Sequence, residues 1–593
     1  MKNKSIIYGL ILVFIFLPGI GCKKLLDEQP RTSFAPSFFT TVDGIQGGIA
    51  GIYSSFRGQW ATQIFTQLFN SGTDESQKGG AADVQHWFTY NNPVIKSNTN
   101  DYTGFWNTLF IDINTANGVL QYGADANIPA TTKTQLLAQA KFLRGFCYFY
   151  LVTTFGQVPL HTTFNTTASA SDAPSPLADL YAQMIKDFTE SAVDLPNVPV
   201  PGMGKPATKA TALYLLAKTL LWRGWSAVAQ PTDFQQAYTT AKGLIDNKAT
   251  YNLALLPFFS SIFREGNEYS TEVIMVIDHT KDLKFGQNSA VGAGAANGSE
   301  NKSNFFWRPN YPTVNANYPA GGGANVTVRD VNNGRPFQRI RPNTKYIMDV
   351  AFANRATDSR YDGTFQTVWL SNSSDMSVRG SLGALTPRGQ LINGIDTSIW
   401  MADRVVTPAE RAAFKGIIFE PEHLAGSTVK YTASYYPSVR KFDDSTRGNL
   451  NDYSDRPYIL FRFSDVYLIA AEAALKGGAT LQDAADMINV LRSRAALKVN
   501  QTPAQYTAAL AAQQVTAGQM TLDFLLDERS RELFAEDTRW WDLSRTKKLV
   551  ERVQLYNPEA SAGVQGFNML RPIPQSQIDL VTEGPKYPQN TGY

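Results

Sequence analysis

Sulfur and imidazole are scarce in this chain. Two cysteines and four histidines serve 593 residues, so no disulfide framework braces the fold and its stability has to come from packing. The histidines (His86, His161, His279 and His423) stand in unrelated contexts, which argues against a histidine-rich metal site. Net charge is +3, too near neutral to hold nucleic acid or an anionic membrane surface by electrostatics. Beyond Cys22 no apolar run is long enough to span a bilayer. The spacings H-E-x-x-H, G-x-x-x-x-G-K-[ST] and G-x-S-x-G are missing. Neighbouring carboxylates such as Asp27/Glu28 and Asp74/Glu75 say nothing about the pair, about 5–10 Å apart across a cleft, that a glycosidase needs. Asp443–Asp452 has the look of a calcium loop, but Arg447 stands where an oxygen ligand belongs and no Glu closes it. A solvated acidic loop is the better reading.

What is present is apolar and aromatic. Hydrophobic residues make up 43% and charged residues 18%, ample for a core in a globular protein. Phe, Tyr and Trp reach 12%, more than a core requires, and the surplus falls in loops. Residues 1–21 read as a targeting segment: Lys2 and Lys4, then the apolar Ile6–Leu17, too short to cross a bilayer comfortably. Gly19-Ile20-Gly21-Cys22 is similar to a lipobox, with Gly19 where a leucine-like residue is usual. Cleavage before Cys22 and lipid attachment to its thiol are expected, which would anchor the mature chain without inserting it. The alternative is an ordinary secretory signal that leaves a free Cys22. Cys147, inside the apolar run Phe142–Leu151, is expected to be a small buried hydrophobe.

Helical periodicity dominates both ends. It predicts helices from near Asp43 to Gly58, from Tyr102 to Tyr122, and from Leu136 to Phe155, the last stopped by Gly156 and Pro159. Further helices are predicted over Ser171–Asp194, Lys209–Ala227 and Asp233–Asn247, then over Tyr458–Lys476 and Leu481–Ala496. Paired helices of this length have the size of tetratricopeptide units. Between them Glu272–Ile277 reads as a strand, and Lys281–Asp330 is long, glycine-rich and aromatic. The expected division is therefore a targeting segment 1–21, helical repeats 22–250, a loop-rich insertion 251–455, and a second helical region 456–593.

Leu522–Arg545 is the densest stretch of the chain. Leu522, Leu525, Leu526 and Leu533 mark one apolar side of a helix, and Arg529 lies on that same stripe. An unpaired buried guanidinium costs several kcal/mol, so Glu532, Glu528 and Asp542 are expected as partners, with Trp540 and Trp541 as flat faces for arginine stems. So much Arg, Glu and Trp could form an active site; an interior polar lock joining helices is the reading preferred.

Aromatics beside amides in loops suggest binding. Trp87, Tyr90 and Asn91 lie in His86-Trp-Phe-Thr-Tyr-Asn-Asn92, and Phe306, Trp307 and Tyr311 lie in Asn304-Phe-Phe-Trp-Arg-Pro-Asn-Tyr311. Sugar rings offer apolar C–H faces and a rim of hydroxyls, which stacking rings and amides suit. The competing reading is that these rings plug the apolar surface beneath loops. Trp106, at core spacing in Phe105–Ile113, is expected to be structural.

Several of these segments together resemble the SusD/RagB family of outer-membrane nutrient-binding lipoproteins. They are Cys22–Pro30, Arg144–Leu160, Arg462-Phe-Ser-Asp465, Ala471-Glu-Ala473, Arg492-Ser-Arg-Ala495, Asp527–Glu532, Arg539-Trp-Trp-Asp-Leu-Ser-Arg545, Pro572-Ile-Pro574 and Gln589–Tyr593. The resemblance implies a mainly α fold: tetratricopeptide-like helical repeats in a SusD-like α-α superhelix, with a long loop-rich insertion. It implies that Arg462, Asp465, Glu472, Glu528, Arg529 and Trp541 are scaffold. It also implies a partner, a SusC-like TonB-dependent outer-membrane transporter over which the lipoprotein sits as a hinged lid. The expected activity is capture of an oligosaccharide at the cell surface and its delivery to that transporter, without catalysis, cofactor or metal. Peptide cargo, a surface glycan hydrolase and a generic protein scaffold are the alternatives.

Overall fold

The computed structural model describes residues 36–167, 169–200, 202, 204–280, 301–315, 318–320, 325–372 and 396–593. The expected targeting segment and Cys22 lie outside them, as does much of the glycine-rich part of the insertion. The chain is mainly α-helical, as expected.

Eight helices form a continuous stack: α1 (Val42–Ser55), α2 (Thr103–Gly123), α3 (Ala130–Phe155), α4 (Leu177–Asp194), α5 (Lys209–Trp225), α6 (Asp233–Asp246), α7 (Phe463–Ala473) and α8 (Leu481–Ala495). From α2 onward each packs against the next, and α1 packs on α2 and α3. Local chemistry sets the ends. Thr41 accepts from the Gly44 N–H to start α1. Thr480 and Asp483 close a reciprocal capping box on α8. α3 stops at Gly156, whose φ of +80° suits a residue without a Cβ. From Phe142 to its end every residue of α3 is buried, Cys147 among them. Where the sequence suggests a start near Ser171 or Ser175, α4 begins only at Leu177, because Pro176 in an extended conformation takes the cap.

The insertion leaves this stack after α6 and returns at α7, yet α6 packs directly on α7, so the solenoid is not interrupted. Its two ends are clamped together. Val273–Ile277 pairs antiparallel with Tyr458–Arg462, from Val273 opposite Arg462 to Ile277 opposite Tyr458. Periodicity predicts helix from Tyr458, whereas Tyr458–Arg462 is a strand and the helix waits until Phe463. A bulky Tyr-Ile-Leu-Phe run becomes a strand when a buried all-apolar strand is there to receive it.

The insertion builds small sheets over satellite cores, two of them larger than the rest. Ser76–Lys78 pairs with Ile340–Pro342, and Val368–Leu370, Thr397–Met401 and Ile417–Phe419 form a three-stranded sheet. One of the larger two gathers Phe306, Trp307, Phe352, Phe365 and Phe534; the other gathers Tyr311, Trp369, Ile399, Phe419 and Tyr431. The Leu522–Arg545 stretch is two helices, α9 (Leu522–Leu533) and α10 (Arg539–Arg545). The bend between them places Ala535 and Asp537 at φ of 65° and 55°.

Candidate ligand-binding face and the ion-pair lattice beneath it

The stretch of highest charge density is interior. Arg529, Glu528, Glu532, Arg539, Asp542 and Arg545 are all buried, so substrate has no access to them, and they lock helices together. Arg529 donates from Nε to Asp542 (2.7 Å) and from Nη1 to Asp465 on α7 (2.8 Å). Asp542 is the partner expected; Glu528 and Glu532 are not. Those two face other directions around α9. Glu528 receives Arg360, Arg492 and Arg531, and Glu532 receives Arg462, Arg494 and Arg360. Burial alone would raise both carboxyls, but the surrounding guanidinium groups outweigh it and hold them well below the usual range. Trp541 stacks on Phe69 at 3.9 Å, and Trp540 carries the Arg571 guanidinium at 3.9 Å. The acidic loop is less solvated than its composition suggests: Asp444 and Arg447 are buried, and Arg447 lies over the Phe305 ring.

The six residues put forward for ligand stacking do not converge. Trp87 and Tyr90 belong to the main core, Phe306 and Trp307 to one satellite core, and Tyr311 to the other. None of the five rings is more than 2% exposed, so none has a face to offer a sugar. Trp87 sits on a short helical turn, Gln85–Thr89; its Nε1 donates to Asp101 at 2.7 Å and its ring carries Arg571 at 4.5 Å. Trp307 packs on Phe534 (5.4 Å), and Tyr311 donates its hydroxyl to the Gly334 carbonyl (2.7 Å). Only Asn91 of the set is exposed. The reading that these rings fill apolar surface beneath loops is the one the geometry supports. Trp106 is buried, as its spacing indicated.

Half-buried rings do exist on the insertion, at positions the sequence did not single out. Tyr318 and Tyr435 meet edge to face at 5.2 Å, both backed by the buried ring of Phe419 at 4.9 and 5.1 Å. The Tyr435 hydroxyl lies 3.0 Å from Thr313 Oγ1. Thr432 Oγ1 accepts the N–H groups of Ser434 and Tyr435, each at 3.1 Å, so the turn is held from within. Backbone bonds from Gly80 to Ala433 (2.8 Å) and from Asn310 to Ser434 (2.7 Å) tie it to neighbouring loops. The result is a fixed aromatic step flanked by Thr313 and Thr432. A second half-buried pair, Trp400 and Phe414 at 5.8 Å, is flanked by the Arg404–Glu410 ion pair and is more charged. The available signal for the first step was the turn chemistry of Thr432–Pro437, where alternate tyrosines point in and out: Tyr436 is fully buried and Tyr435 is not.

Comparison with known proteins agrees with this architecture. A profile described as the SusD family matches residues 271–593, and one described as starch-binding, associating with the outer membrane, matches residues 24–221. The SusD-like protein P2 of Formosa agariphila is 25% identical over 99% of both chains. A SusD homolog from Bacteroides thetaiotaomicron superposes with a TM-score of 0.65 at 18% identity, covering 94% of this chain and 99% of the other. Surface glycan-binding protein A of the same organism, solved with laminarihexaose, gives a TM-score of 0.61 at 18% identity over 93% and 100% of the two chains.

Proposed function

The chain belongs to the SusD family, and from that premise we propose that it is a non-catalytic, surface-anchored receptor that binds an oligosaccharide through the Tyr318–Tyr435 step. The observation that carries this reading is a pair of half-open phenol rings, braced from behind by Phe419 and flanked by the hydroxyls of Thr313 and Thr432. Such rings cover the C–H face of a pyranose while flanking polar groups meet its hydroxyls. The relative solved with laminarihexaose supports a glucan as the first ligand to try. Lipid on Cys22 would hold the receptor at the outer membrane facing outward, and a SusC-like TonB-dependent transporter would take the cargo. Among the described residues no helix is long and apolar enough to cross a membrane, which is compatible with such an anchor.

The test is calorimetric titration of the mature chain with laminarihexaose and maltohexaose. Tyr435→Ala and Tyr318→Ala should each weaken binding of the preferred glycan by at least about 1 kcal/mol, with melting temperature unchanged. Full affinity in both variants would remove the step from the site. Turnover of either glycan by the purified chain would end the receptor reading.

A further inference from the structure

On a different part of the molecule, α1, α3, the α4–α5 connection and Val276–Thr280 line an open-sided cavity of about 620 Å³. Its size is in the range of small-molecule sites. The walls are mainly aliphatic, with Ile49, Leu136, Pro196, Pro199, Val200 and Ile277, and the lining also carries the charged and titratable groups Arg57, Asp278 and His279. One wall is rigid and self-satisfied, because Tyr53 donates to Gln139 Oε1 (2.5 Å) and accepts from the Ala207 N–H (2.9 Å), while Gln139 Nε2 donates to the Ala207 carbonyl (2.8 Å).

Lys205 also lines this cavity. Its ammonium donates to the carbonyls of Ser270 (2.6 Å) and Val273 (2.5 Å). Among the described residues no carboxylate pairs with it. An ammonium has three N–H donors, so one is left over; the Asp278 carboxylate on the same lining accepts from the Tyr269 hydroxyl and is offset by Arg57 rather than by Lys205. Other lysines set into the interior have an acid at hand among the described residues: the half-buried Lys218 has Asp465 and the buried Lys441 has Glu536. Lys205 does not.

We propose that this cavity binds a small amphipathic carboxylate, with its apolar body on the aliphatic walls and its carboxylate on Lys205. A neutral sugar would leave the cation uncompensated and would set the hydroxyls over Ile49, Leu136 and the prolines where they have no partner. A simple hydrocarbon would satisfy the walls but not the ammonium. Burial pushes Lys205 down to about 8, so a carboxylate arriving there strengthens the hold on its proton. The site is separate from the aromatic step and does not depend on the glycan reading.

Decanoate and decanol are the probes, titrated calorimetrically into the full mature chain. Decanoate should bind, and decanol at least tenfold more weakly. Lys205→Met should cut decanoate affinity at least tenfold and leave decanol unchanged. Leu136→Trp, which fills the cavity from a half-exposed position, should abolish both while laminarihexaose titrates as before. At pH 8.5 decanoate binding should take up protons, seen as a heat that changes with the ionisation enthalpy of the buffer. Absence of decanoate binding, equal affinity for decanol, undiminished binding by Lys205→Met, or no proton uptake would each overturn the proposal. If Lys205→Met does not fold, decanoate binding by Leu136→Trp at wild-type affinity overturns it alone.

Discussion

Arg539 grips Asp74 through two parallel hydrogen bonds, Nε to Oδ1 and Nη2 to Oδ2, both 2.7 Å long, across 465 residues of chain. Arg552 adds a third at 2.7 Å, and both guanidinium groups reach the Tyr346 hydroxyl at 3.0 Å. One carboxylate thus joins the N-terminal loop to two C-terminal helices and to the insertion. Bidentate arginine–carboxylate pairs are among the strongest polar contacts, and removing one buried partner leaves an uncompensated charge. Asp74→Asn should therefore cost about 3–5 kcal/mol, read as a lowered urea midpoint. Lys242→Ala, which breaks the exposed i,i+4 pair with Asp246 (2.6 Å), should change stability by no more than about 0.5 kcal/mol. Equal effects from the two would mean that the lattice does not hold the ends together.

The same interior sets a pH dependence of two opposing signs. Burial pushes Glu75 up to about 7, Asp112 up to about 8 and Asp537 up to about 6. Above roughly pH 4 the unfolded chain has shed these protons while the folded chain still holds them. Their stabilising contribution is complete below that pH and is lost as pH rises toward the folded values. Asp74 works the other way. Burial opposes its ionisation, but Arg539 and Arg552 outweigh that and hold it down to about 2. Its contribution is complete above roughly pH 4 and is lost as pH falls toward 2. Stability should peak in mildly acidic solution, and Glu75→Gln should flatten the decline between pH 5 and 7. Urea midpoints taken from pH 3 to 8 decide it; a wild-type midpoint that climbs from pH 5 to 7 contradicts the assignment.

What was legible in the sequence was what a single helix settles for itself. The apolar run of α3 with its Gly156 stop, Trp106 at core spacing and the enclosed Cys147 are all local facts, and periodicity reads them. Tyr458–Arg462 was not legible because its strand state depends on Val273–Ile277, far away in sequence. Arg529 announced that it needed acids, yet one of its two partners, Asp465, lies 64 residues upstream, where no spacing rule reaches. The burial of the expected stacking rings escaped the sequence for a related reason. Composition recognises an aromatic beside an amide but not which side of the loop the ring takes, and Trp87, Trp307 and Tyr311 all turned inward.

Two glycines of α1 separate helix propensity from packing. A Cβ on Gly51 meets nothing within 4 Å, whereas one on Gly44 would fall 1.6 Å from the Phe38 carbonyl oxygen. Alanine is favoured over glycine by about 1 kcal/mol in a helix interior, so Gly51→Ala should raise the melting temperature by a few degrees. Gly44→Ala should lower it, because the turn at Pro36–Thr40 must move away and uncover Phe39. A stabilising Gly44→Ala would show that this turn is not held against α1.

Trp87 offers the sharpest contrast between the reading from sequence and the packed structure. As a stacking anchor it would affect glycan affinity and leave stability alone. As the enclosed ring described above, holding Asp101 with its indole N–H and Arg571 against its face, it should do the reverse. Trp87→Ala empties a large core position and strands a charged group on either side, at a cost of about 3–5 kcal/mol. Trp87→Phe keeps most of the volume but removes the bond to Asp101, at about 1–2 kcal/mol. Both should show in denaturant midpoints, while laminarihexaose affinity, measured well below those midpoints, stays within twofold of wild type. His86 also contacts the same Asp101 oxygen, at 2.7 Å, so the carboxylate keeps one partner in Trp87→Phe and that variant remains foldable enough to titrate. A loss of affinity in Trp87→Phe at an unchanged midpoint would return this ring to the binding site.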